Sequence, residues 1–381
     1  MRASLIIALS ALTLIAGGVE ARPSARAQSP SSATATQALT LGRQVAAWQL
    51  AHMDRFDYVH AHPKTADPRG WVQGALYVGL TALADRGGDS DLVQAIRAHG
   101  VQQGWNLGAR PLHADDNVIG QTWLWVHGKD HDPGQIAPLK ARFDAILADP
   151  PQADMTFLDG TEDQPCQTRW CWSDALFMGP ATWTGLSQAT GDPRYAAYGD
   201  KEFWATENYL LDKQEGLFYR DSRYFDRRDE QGRKIFWGRG NGWVYAGIVD
   251  ILKTLPADHP SRPRYEALFR QMSDRLLPLQ KPDGCWAPSL LAPEHAPPET
   301  SGTGFFVYGL AYGLNHGLLK GAKYEVAVSK GWTALAGAVQ PDGKLGWVQQ
   351  IGYAPDHVSA DDTQLYGVGA FLLAASEVGA R

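Results

Sequence analysis

Ser301-Gly302-Thr303 opens a run through Gly309-Leu310-Ala311-Tyr312-Gly313 that is followed by a short turn, by Ala322-Lys323-Tyr324, and by the loop Pro341-Asp342-Gly343-Lys344-Leu345-Gly346-Trp347. The first run is apolar and rich in Gly and Ala, as a helix crowded among other helices must be. The second begins near a tyrosine, and the loop carries an acidic-Gly turn followed by an aromatic residue. The same order recurs twice upstream. One copy runs from Ser173 through Asp192-Pro193-Arg194-Tyr195 to Glu215-Gly216-Leu217-Phe218, another from Asn241 through Arg262-Pro263-Arg264-Tyr265 to Pro282-Asp283-Gly284-Cys285-Trp286. A repeat of roughly 60–70 residues is the scale of helical-hairpin arrays.

From about residue 37 the chain alternates helical patterns with Gly-, Pro- and Asp-rich loops and shows almost no sustained period-two alternation. The pattern predicts helices near 38–54, 69–86, 89–105, 115–128, 135–149, 173–190, 193–211, 241–255, 261–279, 301–319, 322–339 and 360–378. Paired as hairpins, these give an all-α (α/α)6 double toroid of six helical hairpins, with an open superhelix as the alternative. In a closed toroid the inner helices run parallel. Residues at their N-termini, far apart in sequence, then meet around one cavity.

The 381 residues, 44% hydrophobic, suffice for a large core. A formal net charge of -6 and a pI near 6.0 argue against a nucleic-acid or anionic-membrane partner, both of which want a basic face. Fourteen tryptophans suit a protein that stacks sugars, although most such rings belong to the core. Met1-Arg2, an apolar stretch from Leu5 to Gly17 and small-residue sites at Ala21 or Ala25-Arg26-Ala27 read as a signal peptide over 1–27. The expected location is therefore secreted or periplasmic. No cysteine follows the apolar stretch, so no lipid anchor is expected. Residues 28–36 read as a disordered leader, and 37–381 as one catalytic domain. Cys166 and Cys171 are close enough for a disulfide, or stand as two free thiols, with Cys285 left over. No metal-ligand spacing is present, and neither metal nor cofactor is expected.

The helix starts share a chemistry. They read His113-Ala114-Asp115-Asp116-Asn117, Trp170-Cys171-Trp172-Ser173-Asp174, Trp237-Gly238-Arg239-Gly240-Asn241-Gly242-Trp243, Glu299-Thr300-Ser301 and Ser359-Ala360-Asp361-Asp362-Thr363. Asp, Asn, Ser and Thr are preferred N-caps, so capping alone would place them there. Capping does not require the surrounding aromatics or the arginine. A carboxylate among apolar rings has its pKa raised, as a proton donor near neutrality needs, and a second carboxylate raises it further. Asp174 and Asp116 are the expected pair. Met178 falls one helical turn after Asp174, on the same face. Between Leu211 and Trp237 lies an insertion dense in arginine, of which Arg220 and Arg239 are flanked by aromatics and suit carboxylate recognition. His113 reads as a substrate ligand, a general base or a core histidine.

Four segments, Ala114-Asp115-Asp116-Asn117, Trp172 to Pro180, Trp237 to Trp243 and the one from Glu299, resemble the unsaturated uronyl hydrolases, glycoside hydrolase family 105 with its relative family 88. The resemblance extends over nearly the whole mature chain. It implies a six-hairpin toroid that hydrates a 4,5-unsaturated uronic acid at the non-reducing end of oligosaccharides left by a polysaccharide lyase. By it, Asp174 protonates C4 and Asp116 is the second carboxylate. His113, Trp172, Met178, Arg220, Trp237, Arg239, Asn241, Trp243 and Ser301 are the expected substrate-binding residues. Many members carry a His where this chain has Arg220, which leaves the exact uronide open. A hydrolase of saturated glycosides, inverting across the two acids, and a non-catalytic sugar-binding toroid are the alternatives.

Overall fold

The computed structural model describes Met1 and residues 30–59, 63–159 and 164–381. The rest of the expected signal peptide, residues 28–29, His60 and His62 lie outside the described residues.

Twelve principal helices follow one another among the described residues. They are α1 (Pro30–Leu50), α2 (Trp71–Gly87), α3 (Ser90–Gln103), α4 (Ile119–Asp130), α5 (Ala137–Ala148), α6 (Pro180–Thr190), α7 (Pro193–Leu210), α8 (Gly238–Thr254), α9 (Arg262–Leu276), α10 (Thr300–Asn315), α11 (Ala322–Gly337) and α12 (Leu365–Val378). The even-numbered helices are inner. Every residue is buried from Gly238 to Leu252 in α8, from Thr300 to Gly313 in α10 and from Leu365 to Val378 in α12. The odd-numbered helices are outer and bury one face. In α9 the buried set Tyr265, Leu268, Phe269, Met272 and Leu276 follows the three-four spacing of an amphipathic helix.

Each inner helix packs on the next, and α12 packs back on α2, so the ring closes and the open superhelix is ruled out. The closing contact depends on backbone approach. A Cβ at Gly79 of α2 would lie 2.5 Å from the Gly369 carbonyl oxygen, and one at Gly369 of α12 would lie 2.2 Å from that of Ala75. Larger residues at either position would part the two helices.

Three differences from the expected elements have local causes. Residues 30–36, expected as disordered leader, form the first turns of α1. Pro30 at its start needs no intrahelical N–H partner, and the helix docks on α2 and α12. The helix expected over 173–190 is broken into a short turn, Ala175–Met178, and α6. Pro180 has no N–H to continue the ladder, and the Phe177 carbonyl left near the break accepts from the Gln121 side chain at 3.0 Å. The last helix starts at Leu365, five residues late, because Asp362 folds back onto the Ser359 amide and hydroxyl at 2.7 and 2.9 Å.

A two-strand hairpin, β1 (Leu211–Asp212) and β2 (Leu217–Phe218), pairs antiparallel with Leu211 opposite Phe218. It launches the arginine-rich insertion across the mouth of the ring. Cys166 and Cys171 are joined by a disulfide, and Cys285 is free and buried.

Candidate active site

Each inner helix is followed by an outer return, so the inner helices run in one direction and their N-termini share one mouth. Helix N-termini carry partial positive charge and suit anionic ligands. The C-terminal mouth holds a cavity of about 530 Å³ bordered by Thr81, Asp85, Trp125 and Asp250, and there the helix dipoles disfavour an anionic sugar.

Asp174 stands at the start of the turn Ala175–Met178, yet its carboxylate makes no capping hydrogen bond. Helix-start preference therefore does not account for it. Neighbouring segments hold it in place. The Ser173 amide donates to the Arg220 carbonyl at 2.8 Å, and the Thr206 hydroxyl donates to the Trp170 carbonyl at 2.8 Å. Gly240, at the start of α8, lets that helix approach; a Cβ there would lie 3.0 Å from Ser173 Oγ. Ser173 Oγ donates to Asp174 Oδ2 at 3.0 Å, and Arg220 Nε lies 3.8 Å from the same oxygen. Burial pushes the Asp174 pKa up. Arg220 and the Ser173 hydrogen bond pull it down, the Asp115 carboxylate pushes it up again, and the net shift is upward. Asp174 thus keeps its proton to higher pH than an ordinary aspartate.

Two carboxylates, Asp115 and Asp116, stand in the turn expected to supply the second acid. Asp116 is consumed by Arg110, accepting from its amide at 2.5 Å, its Nε at 3.2 Å and its Nη2 at 2.7 Å. Asp115 is the residue whose charge acts on Asp174. Burial raises Asp115 to about 6, against the pull of Arg110. The cap of this segment, the 3-10 turn Ala114–Asn117, is His113, whose Nδ1 accepts from the Asp115 amide at 3.2 Å. An accepting Nδ1 puts the proton of the neutral ring on Nε2. Burial pushes His113 down to about 3, so the ring is neutral, and it packs against Trp172 with centroids 4.8 Å apart. Nε2 is buried without a partner. His113 therefore offers one unused N–H donor beside the acids, the form of a substrate ligand.

The remaining expected residues divide. Arg220 reaches the site through Nε, as described. Arg239 is buried with both terminal nitrogens spent, on the Gln349 carbonyl at 2.7 Å and the Gln350 carbonyl at 2.9 Å, while its plane lies between Trp237 and Tyr366. It acts on Asp174 as a nearby charge, and does not present the bidentate fork expected of it. Trp237 is buried and donates to the Gln349 side chain at 2.9 Å. Asn241 is fully satisfied by backbone: its oxygen accepts from the Phe218 amide at 2.8 Å, and its nitrogen donates to the Phe218 and Trp237 carbonyls at 3.0 and 3.1 Å. It anchors β2 to α8 and has no bond left for a sugar. Trp243 sits in the core against Phe177 and Phe305, and Met178 is likewise buried. Ser301 donates to Glu299, the residue that caps α10. Asn241, Trp243, Met178 and Ser301 each have a structural role in the fold. Asp361 is exposed and, like Asp362, caps no helix.

Asp115 and Arg110 are not singled out by the sequence. Asp115 adjoins Asp116 in a doublet, and the arginine that neutralises one member lies six residues upstream, a spacing with no helical or strand period to reveal it.

Acids held in an aromatic, cation-bearing mouth at the N-terminal end of an (α/α)6 ring place the protein among the α/α-toroid glycoside hydrolases. The model of Glycosyl Hydrolase Family 88 matches residues 42–381, and the chain belongs to that family. It is 42% identical over 360 residues to an unsaturated 3S-rhamnoglycuronyl hydrolase of an Alteromonas species, covering 92% of this chain and 87% of the relative. A protein of the same designation from Formosa agariphila is 39% identical over 334 residues, covering 84% and 88%. A solved family 88 glycosyl hydrolase from Bacteroides vulgatus superposes with a TM-score of 0.78 at 28% identity, covering 90% of this chain and 98% of that one. The kinship expected from the sequence is shown, and the protein is a glycoside hydrolase.

Proposed function

We propose that the enzyme removes a 4,5-unsaturated uronic acid from the non-reducing end of lyase-generated oligosaccharides. The observation that carries this reading is Asp174: mostly but not fully buried, bonded to no cap, raised in pKa, and 3.8 Å from a guanidinium suited to a uronate carboxylate. Protonated Asp174 gives its proton to C4 of the enol ether. The positive charge that develops at C5 and the ring oxygen is met by the ionised Asp174 and Asp115. Water adds at C5 and returns a proton to Asp174. The hemiketal opens to a C5 ketone, and the hemiacetal left at C1 expels the next sugar. His113 Nε2 donates to a ring hydroxyl, and Arg220 pairs with the carboxylate on C5. The relatives' designation supports a leaving sugar of the same class, a rhamnose sulfated at O3. The Cys166–Cys171 bond supports the exported location suggested by the leader, because disulfides persist in oxidising compartments.

The test is loss of the ultraviolet absorbance of the C4=C5 bond. Wild-type enzyme is expected to bleach an unsaturated uronyl disaccharide and leave its saturated counterpart intact. Turnover of the saturated compound alone would overturn the reading and favour an ordinary inverting hydrolase.

A further inference from the structure

Asp221 is fully buried and holds two guanidiniums. Its Oδ2 accepts from Arg220 Nη1 at 2.7 Å and from Arg223 Nη2 at 2.8 Å; its Oδ1 accepts from Arg223 Nε at 2.9 Å and from the Arg223 amide at 3.0 Å. Burial pushes the Asp221 carboxyl up, but the two arginines outweigh it and keep it ionised. One negative charge thus fixes two positive ones side by side, and the group carries a net positive charge. Among the described residues, the edges turned away from Asp221 have no hydrogen-bond acceptor. Arg220 Nε is buried without a hydrogen-bond partner, and the Asp159 carboxylate stands 4.0 Å from Arg223 Nη1, an ion pair too long for a hydrogen bond.

Two aromatic rings orient the pair. The Arg223 guanidinium lies 4.2 Å from the centre of Phe157 and 5.2 Å from that of Tyr353, and Arg220 lies somewhat farther from both. Phe157 is buried, whereas Tyr353 is 57% exposed, so the pair spans from the acid out toward solvent. A partly desolvated excess of positive charge is costly unless an anion joins it. The unsaturated uronide supplies one anion, its carboxylate, on the carbon next to the one Asp174 protonates. Arg220, which reaches Asp174, is placed for that group. Arg223 faces only the exposed Asp159 at 4.0 Å, a carboxylate already held by Arg227 at 3.0 Å, and is placed for a second anion farther out.

We propose that Arg223, fixed by Asp221 and bordered by Tyr353, forms a sulfate-binding subsite for the leaving sugar. A sulfate ester stays ionised at every working pH, and its oxygens match the planar donors of a guanidinium. The exposed Tyr353 ring gives the same sugar a surface to stack on. The inference rests on the uronyl hydrolase reading and adds the residue that selects the substrate.

Kinetics on two unsaturated disaccharides, one sulfated at O3 of the leaving rhamnose and one chemically desulfated, test it. Wild-type kcat/KM is expected to favour the sulfated compound by about 10–100-fold, the worth of a charged hydrogen-bonded contact. Arg223→Gln should remove that preference, and Arg223→Lys, which keeps the charge without the fork, should restore part of it. A wild type that bleaches both compounds equally, or an Arg223→Gln loss equal on both, overturns the sulfate subsite. A wild type that bleaches neither overturns the uronyl hydrolase reading itself.

Discussion

Asp174→Asn is expected to lower kcat on an unsaturated uronide by about 10³-fold or more, the upper range for loss of a general acid, with Kd changed little. Asn keeps the shape of the side chain and can still accept from Ser173 Oγ. It has no proton to give C4. Absorbance bleaching gives the rate and calorimetric titration the affinity; turnover retained within tenfold would remove Asp174 from the chemistry. The same substitution has a stability signature. The folded-state pKa of Asp174 lies above its unfolded value of about 3.9, so its contribution to stability is present below that value and is lost as pH rises through the folded pKa. Above that range the wild type carries a partly desolvated charge that Asn lacks. The variant should therefore melt at a higher temperature than wild type at about pH 8, and the difference should vanish in acid.

Asp115→Asn should lower kcat by about 100-fold and move the alkaline limb of the kcat/KM profile toward lower pH. The direction follows from the charges around Asp174. Burial, the largest influence, is unchanged by the substitution; Arg220 and Ser173 continue to pull the pKa down; the upward push of Asp115 is gone. The proton needed for C4 is then lost at lower pH. The acid limb should also flatten, since Asp115 ionises near pH 6 and serves as an anion only above it. An alkaline limb that stays in place in Asp115→Asn would return the second-carboxylate role to Asp116.

The ring was legible because it is periodic. Small residues in runs such as Gly309 to Gly313 mark inner helices, proline and tyrosine open the outer ones, and three copies of that order suffice to expect six hairpins. The boundaries that escaped are those set by side chains reaching across the sequence, such as Asp362 holding Ser359 or Gln121 meeting the carbonyl freed near Pro180. The site was legible in part for the same reason. Asp174 stood out by its aromatic neighbours. Asn241 and Ser301 stood in segments with the same resemblance, yet each spends its polar atoms on capping or on bridging backbone, and composition cannot distinguish a satisfied amide from a waiting one. The choice between Asp115 and Asp116 turned on where Arg110 points. Long side chains of that kind are set by the fold, and no spacing rule carries them.

In the proposed reaction the proton of Asp174 goes to a ring carbon, not to the glycosidic oxygen. Turnover of an unsaturated disaccharide in D2O containing heavy-oxygen water, with the product read by NMR and mass spectrometry at early times, tests it directly. Deuterium on C4 and heavy oxygen at C5 are expected, appearing in step with loss of the ultraviolet absorbance. Heavy oxygen at C1, with no deuterium on C4 and the absorbance retained in the released uronate, would contradict it.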